Sequence, residues 1–101
     1  MNEVQKQYQK KREALRWRVL NACYHGAPGF VGENLVLRIC ADTGFSVEMQ
    51  QIHEALDYLE GKELIVVKRK DVEWLSRVTD DGTDVVEGNA ECPPGINKPE
   101  W

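Results

Sequence analysis

The chain has 101 residues, a net charge of −4 and three cysteines, Cys23, Cys40 and Cys92, which suits one domain with a single hydrophobic core. It contains no apolar run near the roughly 18 residues of a membrane span, and its odd, widely spaced cysteines favour reduced thiols over a disulfide framework. We therefore expect a cytoplasmic protein with no secretory signal and no membrane contact.

The first predicted element is a long helix over residues 3–24. This segment has no Gly or Pro, and Leu15, Val19 and Cys23 follow one another at helical spacing. The spacing predicts that the second half of the helix is buried. The first half, up to residue 12, is mostly polar and is open to solvent or to a partner.

Two shorter helices are predicted next, over residues 33–43 and 46–60, and the turn between them has the length that a helix-turn-helix requires. Ser46 is the expected N-cap of the third helix. The apolar face of the second helix should point towards the core, and it consists of Leu35, Val36, Ile39 and Cys40. The third helix should bury a stripe made of Met49, Ile52, Leu56 and Leu59.

A β-hairpin is predicted to follow, with strands at residues 64–67 and 72–78. The turn that joins the strands is basic and consists of Lys68, Arg69, Lys70 and Asp71. A small first strand near Phe30 and Val31 is a candidate partner for this hairpin.

Beyond the hairpin, Thr79 is the predicted N-cap of a short fourth helix that ends at Gly88. Residues 89–101 are rich in proline, which predicts an extended tail. We therefore divide the chain into a domain over residues 1–88 and a tail over residues 89–101.

An amphipathic helix that leads into a hairpin with a basic tip is the ground plan of a winged helix-turn-helix. Over residues 15–82 the sequence resembles the winged helix-turn-helix regulators of bacteria. The resemblance is carried by an apolar spine and by the end of the second strand: Leu56, Leu59, Leu64, Ile65, Trp74, Leu75, Thr79 and Gly82. The predicted fold is α+β, a winged helix-turn-helix with three core helices, a two-stranded wing, a short C-terminal helix and an extended tail.

The chain also resembles a narrower family, the small winged helix-turn-helix proteins of Mu-like phages and prophages that are often labelled ArsR-like regulators. The similarity is strongest near the C-terminal end, at Thr79, Gly82, Asp84, Val85, Val86 and Gly88 and then at Pro94, Gly95, Ile96, Lys98 and Pro99. This resemblance implies a phage- or prophage-encoded protein in the cytoplasm of a bacterial host.

Basic charge is concentrated in the first helix and the hairpin. Residues 1–25 carry six basic and two acidic side chains, and residues 61–77 carry five basic and three acidic ones. The segments 26–60 and 78–101 each have one basic and six acidic residues. If the protein binds DNA, this distribution places the phosphate contacts on the hairpin and the first helix.

The candidate DNA-binding residues come from three elements. The hairpin supplies cations suited to phosphate contact, namely Lys62, Lys68, Arg69, Lys70 and Arg77. Helix 46–60, placed near the major groove, supplies side chains that reach base edges, namely Gln50, Gln51 and His53. The first helix supplies Lys10 and Lys11. Together these residues predict a transcriptional regulator that binds double-stranded DNA.

The same helix 46–60 also favours a different function. Its outer face has no Lys or Arg but has Glu48, Glu54 and Asp57, which would meet DNA phosphates at an energetic cost. The alternative is a winged-helix protein-interaction module, such as an accessory factor in phage assembly or packaging, with a phage or host protein as its partner. The basic turn is then a solvated turn that protects an edge strand.

We expect a homodimer, and Val4, Tyr8 and Leu15 form a narrow apolar seam for a partner helix. The chain is not expected to be an enzyme, because no nucleophile motif, P-loop or Gly-rich dinucleotide turn occurs and no residue is predicted to be catalytic. Neither a cofactor nor a metal site is predicted, since Cys23 and His25 form an isolated pair of ligand types and structural zinc requires closer sets.

Overall fold

The computed structural model describes residues 3–44 and 46–99 of the chain. Over these residues the fold is α+β, with four helices and a three-stranded antiparallel sheet, and it is compatible with the predicted winged helix. In chain order the elements are α1 (Glu3–His25), β1 (Val31–Gly32), α2 (Glu33–Asp42), α3 (Met49–Gly61), β2 (Ile65–Arg69), β3 (Trp74–Val78) and α4 (Asp80–Glu87). Among the helices so described, none has both the length and the hydrophobicity that a membrane span requires.

The second half of α1 lies at the centre of the core, as its apolar spacing predicts. Val19, Leu20 and Cys23 are fully buried, with 0% exposure, and the helix contacts α2, α3, α4 and β3. The first half, over residues 3–12, is exposed along its whole length. The helix is therefore held at its C-terminal half, while its N-terminal half projects from the core.

The predicted buried face of α2 is correct except at Leu35. Val36 and Cys40, one turn apart, are fully buried, and Ile39 packs partly against the core. Leu35 is 49% exposed, so its predicted inward position is wrong. The reason is that α2 buries a narrow stripe along the line from Val36 to Cys40, and Leu35 lies about 100° around the helix from Val36.

α3 begins at Met49, later than predicted, and the expected N-cap at Ser46 is wrong. Glu48 is the N-cap, and the Gln51 side-chain Oε1 accepts a hydrogen bond from the Glu48 backbone N–H at 2.8 Å. A Gln three residues after the N-cap closes the first turn in this way and so fixes where the helix starts. The predicted stripe is confirmed: Ile52, Leu56 and Leu59 are fully buried, and Met49 packs partly buried against the core.

The sheet has the order β1-β3-β2, and both strand pairs are antiparallel. The predicted first strand is present, with Val31 opposite Ser76. β2 runs to Arg69, so the assignment of Lys68 and Arg69 to the turn is wrong. The reason is that their backbone continues the antiparallel ladder with β3, which itself begins at Trp74, later than predicted.

α4 is capped as predicted. The Thr79 Oγ1 accepts a hydrogen bond from the Gly82 N–H at 3.0 Å, and Gly88 ends the helix in the left-handed conformation. A side chain at Gly82 would collide with the carbonyl oxygen of Leu64. Glycine at this position therefore lets α4 approach the start of the hairpin closely.

The tail, described here to residue 99, packs against α1 and α4. Ile96 is 5% exposed. The Asn97 N–H donates to the Glu13 carbonyl at 3.1 Å, and the Lys98 Nζ donates to the Val85 carbonyl at 2.8 Å. These contacts attach the tail to the core. Residues 100 and 101 of the predicted tail lie outside the described residues.

Replacing Gln51 with Ala should lower the free energy of unfolding by about 1 kcal/mol, because the Glu48 N–H loses its hydrogen-bond acceptor. Urea denaturation followed by far-ultraviolet circular dichroism measures this change. Gln50→Ala is the matched control, since Gln50 is exposed on the same turn and should change stability by less than about 0.5 kcal/mol. Equal losses for the two variants would contradict the capping role of Gln51.

Candidate nucleic-acid interface

The outer face of the hairpin carries two cations that share one aromatic ring. Side chains alternate along a strand, so Lys68 on β2 and Arg77 on β3 point away from the helices. The Lys68 Nζ lies 4.4 Å from the centroid of the Phe30 ring, and the Arg77 Cζ lies 4.8 Å from it. Cation–π attraction at these distances holds both charges together. We call the surface formed by Phe30, Lys68 and Arg77 the outer wing face.

Arg69 lies on the opposite face of the hairpin and points towards α3. Its Nη2 donates to Asp57 at 2.6 Å and to Glu60 at 2.8 Å, and its guanidinium lies 4.6 Å from the Trp74 ring centroid. The hydrogen bonds from Arg69 lower the pKa of Glu60, and the two carboxylates raise the pKa of Arg69. A phosphate would have to compete with two carboxylates for this cation.

His53 joins α2, α3 and β3 through contacts within the chain. Its ring stacks on Trp74 with centroids 3.8 Å apart and an angle of 7° between the planes. Its Nε2 lies 2.5 Å from Glu33 Oε2, and Glu33 is only 9% exposed. The imidazole is therefore held on both sides by contacts within the chain.

The exposed ridge of α3 is acidic. Gln50 Nε2 lies 3.4 Å from Glu54 Oε1 and donates to it, while Asp57 continues the ridge one turn later. Gln51 is committed to the helix start, as described above. Of the three predicted base-reading residues, Gln50 is the one that stays exposed, and a carboxylate lies beside it.

The remaining candidates lie on other surfaces. Lys62 Nζ lies 5.6 Å from the Tyr58 ring centroid, on the flank of α3 where Arg16 of α1 also packs over Tyr58 at 3.7 Å. Lys10 and Lys11 lie on the projecting half of α1. Lys70 follows β2 in the hairpin turn and is exposed. The structure thus brings Lys68 and Arg77 together and separates them from Arg69, Lys62 and the α1 cations.

Phe30 is the residue of this surface that the sequence did not identify. It immediately precedes β1, and β1 pairs with β3, so its ring reaches the cations of the hairpin only through sheet formation. The sequence feature that could have identified Phe30 is an aromatic residue beside a predicted edge strand. Placing its ring beside the cations also requires the register of the strand pairing, and the local sequence does not encode that register.

The cysteines and acids offer no metal site within residues 3–44 and 46–99, where no group of three potential ligands is found. Burial raises the pKa of the Cys40 thiol to about 11 and also raises that of Cys23. Both buried thiols are therefore protonated at neutral pH and belong to the core, where the Cys23 Sγ lies 3.3 Å from the Ser76 Oγ in a hydrogen bond.

Comparisons with known proteins find no match to this chain among protein-family models, curated proteins or solved structures.

Replacing Arg69 with Gln should raise the pKa of Glu60 towards its ordinary value of 4.5, because the hydrogen bonds and the charge that lower it are removed. Carboxyl carbon NMR during a pH titration measures this. In the unmodified protein the pair stabilises the fold above pH 4.5, and this contribution disappears as the pH falls through the lowered pKa. The contribution is small because both partners are exposed.

The matched control is Lys68→Gln, which removes the neighbouring cation on the outer wing face. It should leave the pKa of Glu60 unchanged, since Lys68 points away from α3. An unaltered Glu60 pKa in the Arg69→Gln variant would contradict the ion pair.

Proposed function

We propose that this chain is a winged helix-turn-helix protein that binds double-stranded DNA and regulates transcription. The order of elements, with α2 and α3 preceding a β2–β3 hairpin and the sheet ordered β1-β3-β2, supports the assignment of α3 as the recognition helix and the hairpin as the wing. The resemblance to small proteins of Mu-like phages adds a phage or prophage origin and a bacterial cytoplasm to the proposal.

The observation that carries the proposal is the outer wing face. Within the described residues, Lys68 and Arg77 have no carboxylate partner, and both rest on Phe30. Pre-positioned cations lose little side-chain entropy when they meet a phosphate. With Lys70 in the adjoining turn, the wing presents three cations to the DNA backbone, while Gln50 and the start of α3 approach the major groove.

The acidic ridge of α3 favours a second candidate function. Gln50, Glu54 and Asp57 would face the phosphate field without a cation among them, and Arg69 is already neutralised by α3. A protein partner with a basic surface suits this ridge better than DNA does. In this candidate the chain is a winged-helix protein-interaction module, with a phage or host protein as its partner.

The double variant Lys68→Gln/Arg77→Gln should weaken binding to a random-sequence DNA duplex and flatten its salt dependence. The slope of log K against log salt is negative, and each lost phosphate contact reduces its magnitude by about 0.9. The magnitude should therefore decrease by about 2 in the double variant. Fluorescence anisotropy between about 50 and about 200 mM salt measures both quantities.

Arg38→Gln is the control, because Arg38 is an exposed cation of α2 and belongs neither to the wing nor to the first helix. Its slope should stay close to that of the unmodified protein. Undetectable binding of the unmodified protein at low salt would exclude the DNA function and leave the interaction module. Equal slopes for the double variant and the control would show that the wing is not the contact surface.

A further inference from the structure

The guanidinium of Arg69 lies between the wing and α3, where two carboxylates hold it. Its Nη2 donates to Asp57 Oδ1 at 2.6 Å and to Glu60 Oε1 at 2.8 Å, and its Nη1 donates to Glu60 Oε2 at 3.3 Å. We call these three residues the Arg69 clamp. One positive and two negative charges leave the clamp with a net negative charge. A cation at the end of β2 therefore contributes no attraction for a phosphate.

The clamp lies at the surface and is open to solvent. The side chains of Arg69, Asp57 and Glu60 are 40%, 55% and 37% exposed, respectively. Exposed ion pairs contribute little to stability, because water and salt screen their charges. Arg69 can therefore exchange its carboxylate partners for another anion, which a buried ion pair could not do without a large loss of stability.

An aromatic ring holds the Arg69 guanidinium independently of the carboxylates. The Arg69 Cζ lies 4.6 Å from the centroid of the Trp74 ring, and the stacked ring of His53 fixes Trp74 at a centroid distance of 3.8 Å. A cation–π contact leaves the N–H groups of the guanidinium available as donors. Without the carboxylate charges, Arg69 would therefore remain at the end of β2, where Lys70 follows in the exposed turn.

We propose that Asp57 and Glu60 are internal competitors of DNA phosphate, which lower the non-specific affinity of the wing by occupying Arg69. A carboxylate and a phosphate offer a guanidinium the same kind of anionic oxygen acceptor, so the contacts of Arg69 with α3 exclude contacts with DNA. The wing then meets the backbone of random sequence through its three other cations. Because a genome offers a vast excess of non-specific sites, lower affinity for them favours occupation of a specific one.

The inference rests on the proposed DNA binding, and the test neutralises both carboxylates without changing their shape, in the variant Asp57→Asn/Glu60→Gln. Arg69 then becomes a fourth phosphate contact of the wing. The magnitude of the slope of log K against log salt for a random-sequence duplex should increase by about 0.9. The affinity at about 100 mM salt should rise about eightfold, which is the same contribution evaluated one decade below about 1 M salt. Fluorescence anisotropy measures both quantities.

The same two substitutions in an Arg69→Gln background separate the release of Arg69 from a simple loss of repulsion. The carboxylates repel phosphate in both backgrounds, whereas only the unmodified background contains the cation that they occupy. The triple variant should therefore show no steeper slope than Arg69→Gln alone. Glu54→Gln/Glu63→Gln is the matched control, because it removes two exposed carboxylates that do not bind Arg69 within the described residues. Its slope should equal that of the unmodified protein.

Guanidinium NMR of the ¹⁵N-labelled free protein tests the clamp without DNA. In the unmodified protein the Nη–H signals of Arg69 should be resolved, because charge-assisted hydrogen bonds hold the group in one orientation. In Asp57→Asn/Glu60→Gln these signals should merge. The backbone amide spectra from the same samples show that each variant is folded.

Three results would each overturn the proposal: merged Arg69 signals in the unmodified protein, an unchanged slope in the double variant, or equal steepening with and without Arg69. If the unmodified protein binds the duplex and the double variant shows no steeper slope, the competition fails and the DNA function stands. If neither protein binds the duplex at low salt, the DNA function fails as well.

Discussion

Burial of the second half of α1 is the interaction on which the other elements depend. Leu20 and Cys23 are completely removed from solvent, and burying a side chain such as Leu20 contributes roughly 2 kcal/mol. Because α2, α3, α4 and β3 all contact this helix, the hairpin and α3 are held by one common support. The first half of α1 has little apolar surface to bury, and it therefore projects with its cations exposed.

The hairpin has two chemically different faces because side chains alternate along its strands. Lys68 and Arg77 rest on Phe30 on the outside, whereas Arg69 is bound by Asp57 and Glu60 on the inside. The inner contacts attach the hairpin to α3. They also occupy Arg69, one of the three consecutive basic residues of the hairpin. The charge available to a phosphate is accordingly smaller than the sequence suggests, and it lies on a different face.

Both flanks of α3 contact other elements of the chain, and this limits the surface that α3 can offer to a ligand. Towards the hairpin, His53 stacks on Trp74 and Asp57 binds Arg69. Towards α1, Tyr58 lies under Arg16. Between the flanks, an acidic ridge and the start of the helix are exposed.

Local sequence patterns were sufficient for the order of the elements and for most of the core. The stripe through Ile52, Leu56 and Leu59 and the cap at Thr79 are confirmed, because helical spacing and capping depend on residues within one or two turns. The cap at Ser46 and the inward position of Leu35 were wrong. Gln51 closes the first turn of α3 on Glu48, and α2 buries a narrower stripe than its apolar residues suggest.

The partners of the charged side chains became known only with the folded chain. Lys68 and Arg69 are neighbours in sequence, yet one rests on Phe30 and the other binds two carboxylates of α3. Strand register and helix packing bring together residues far apart along the chain, and no local pattern encodes which acid a given cation will meet. The architecture could be predicted from spacing, whereas the availability of each charge for binding depends on three-dimensional contacts.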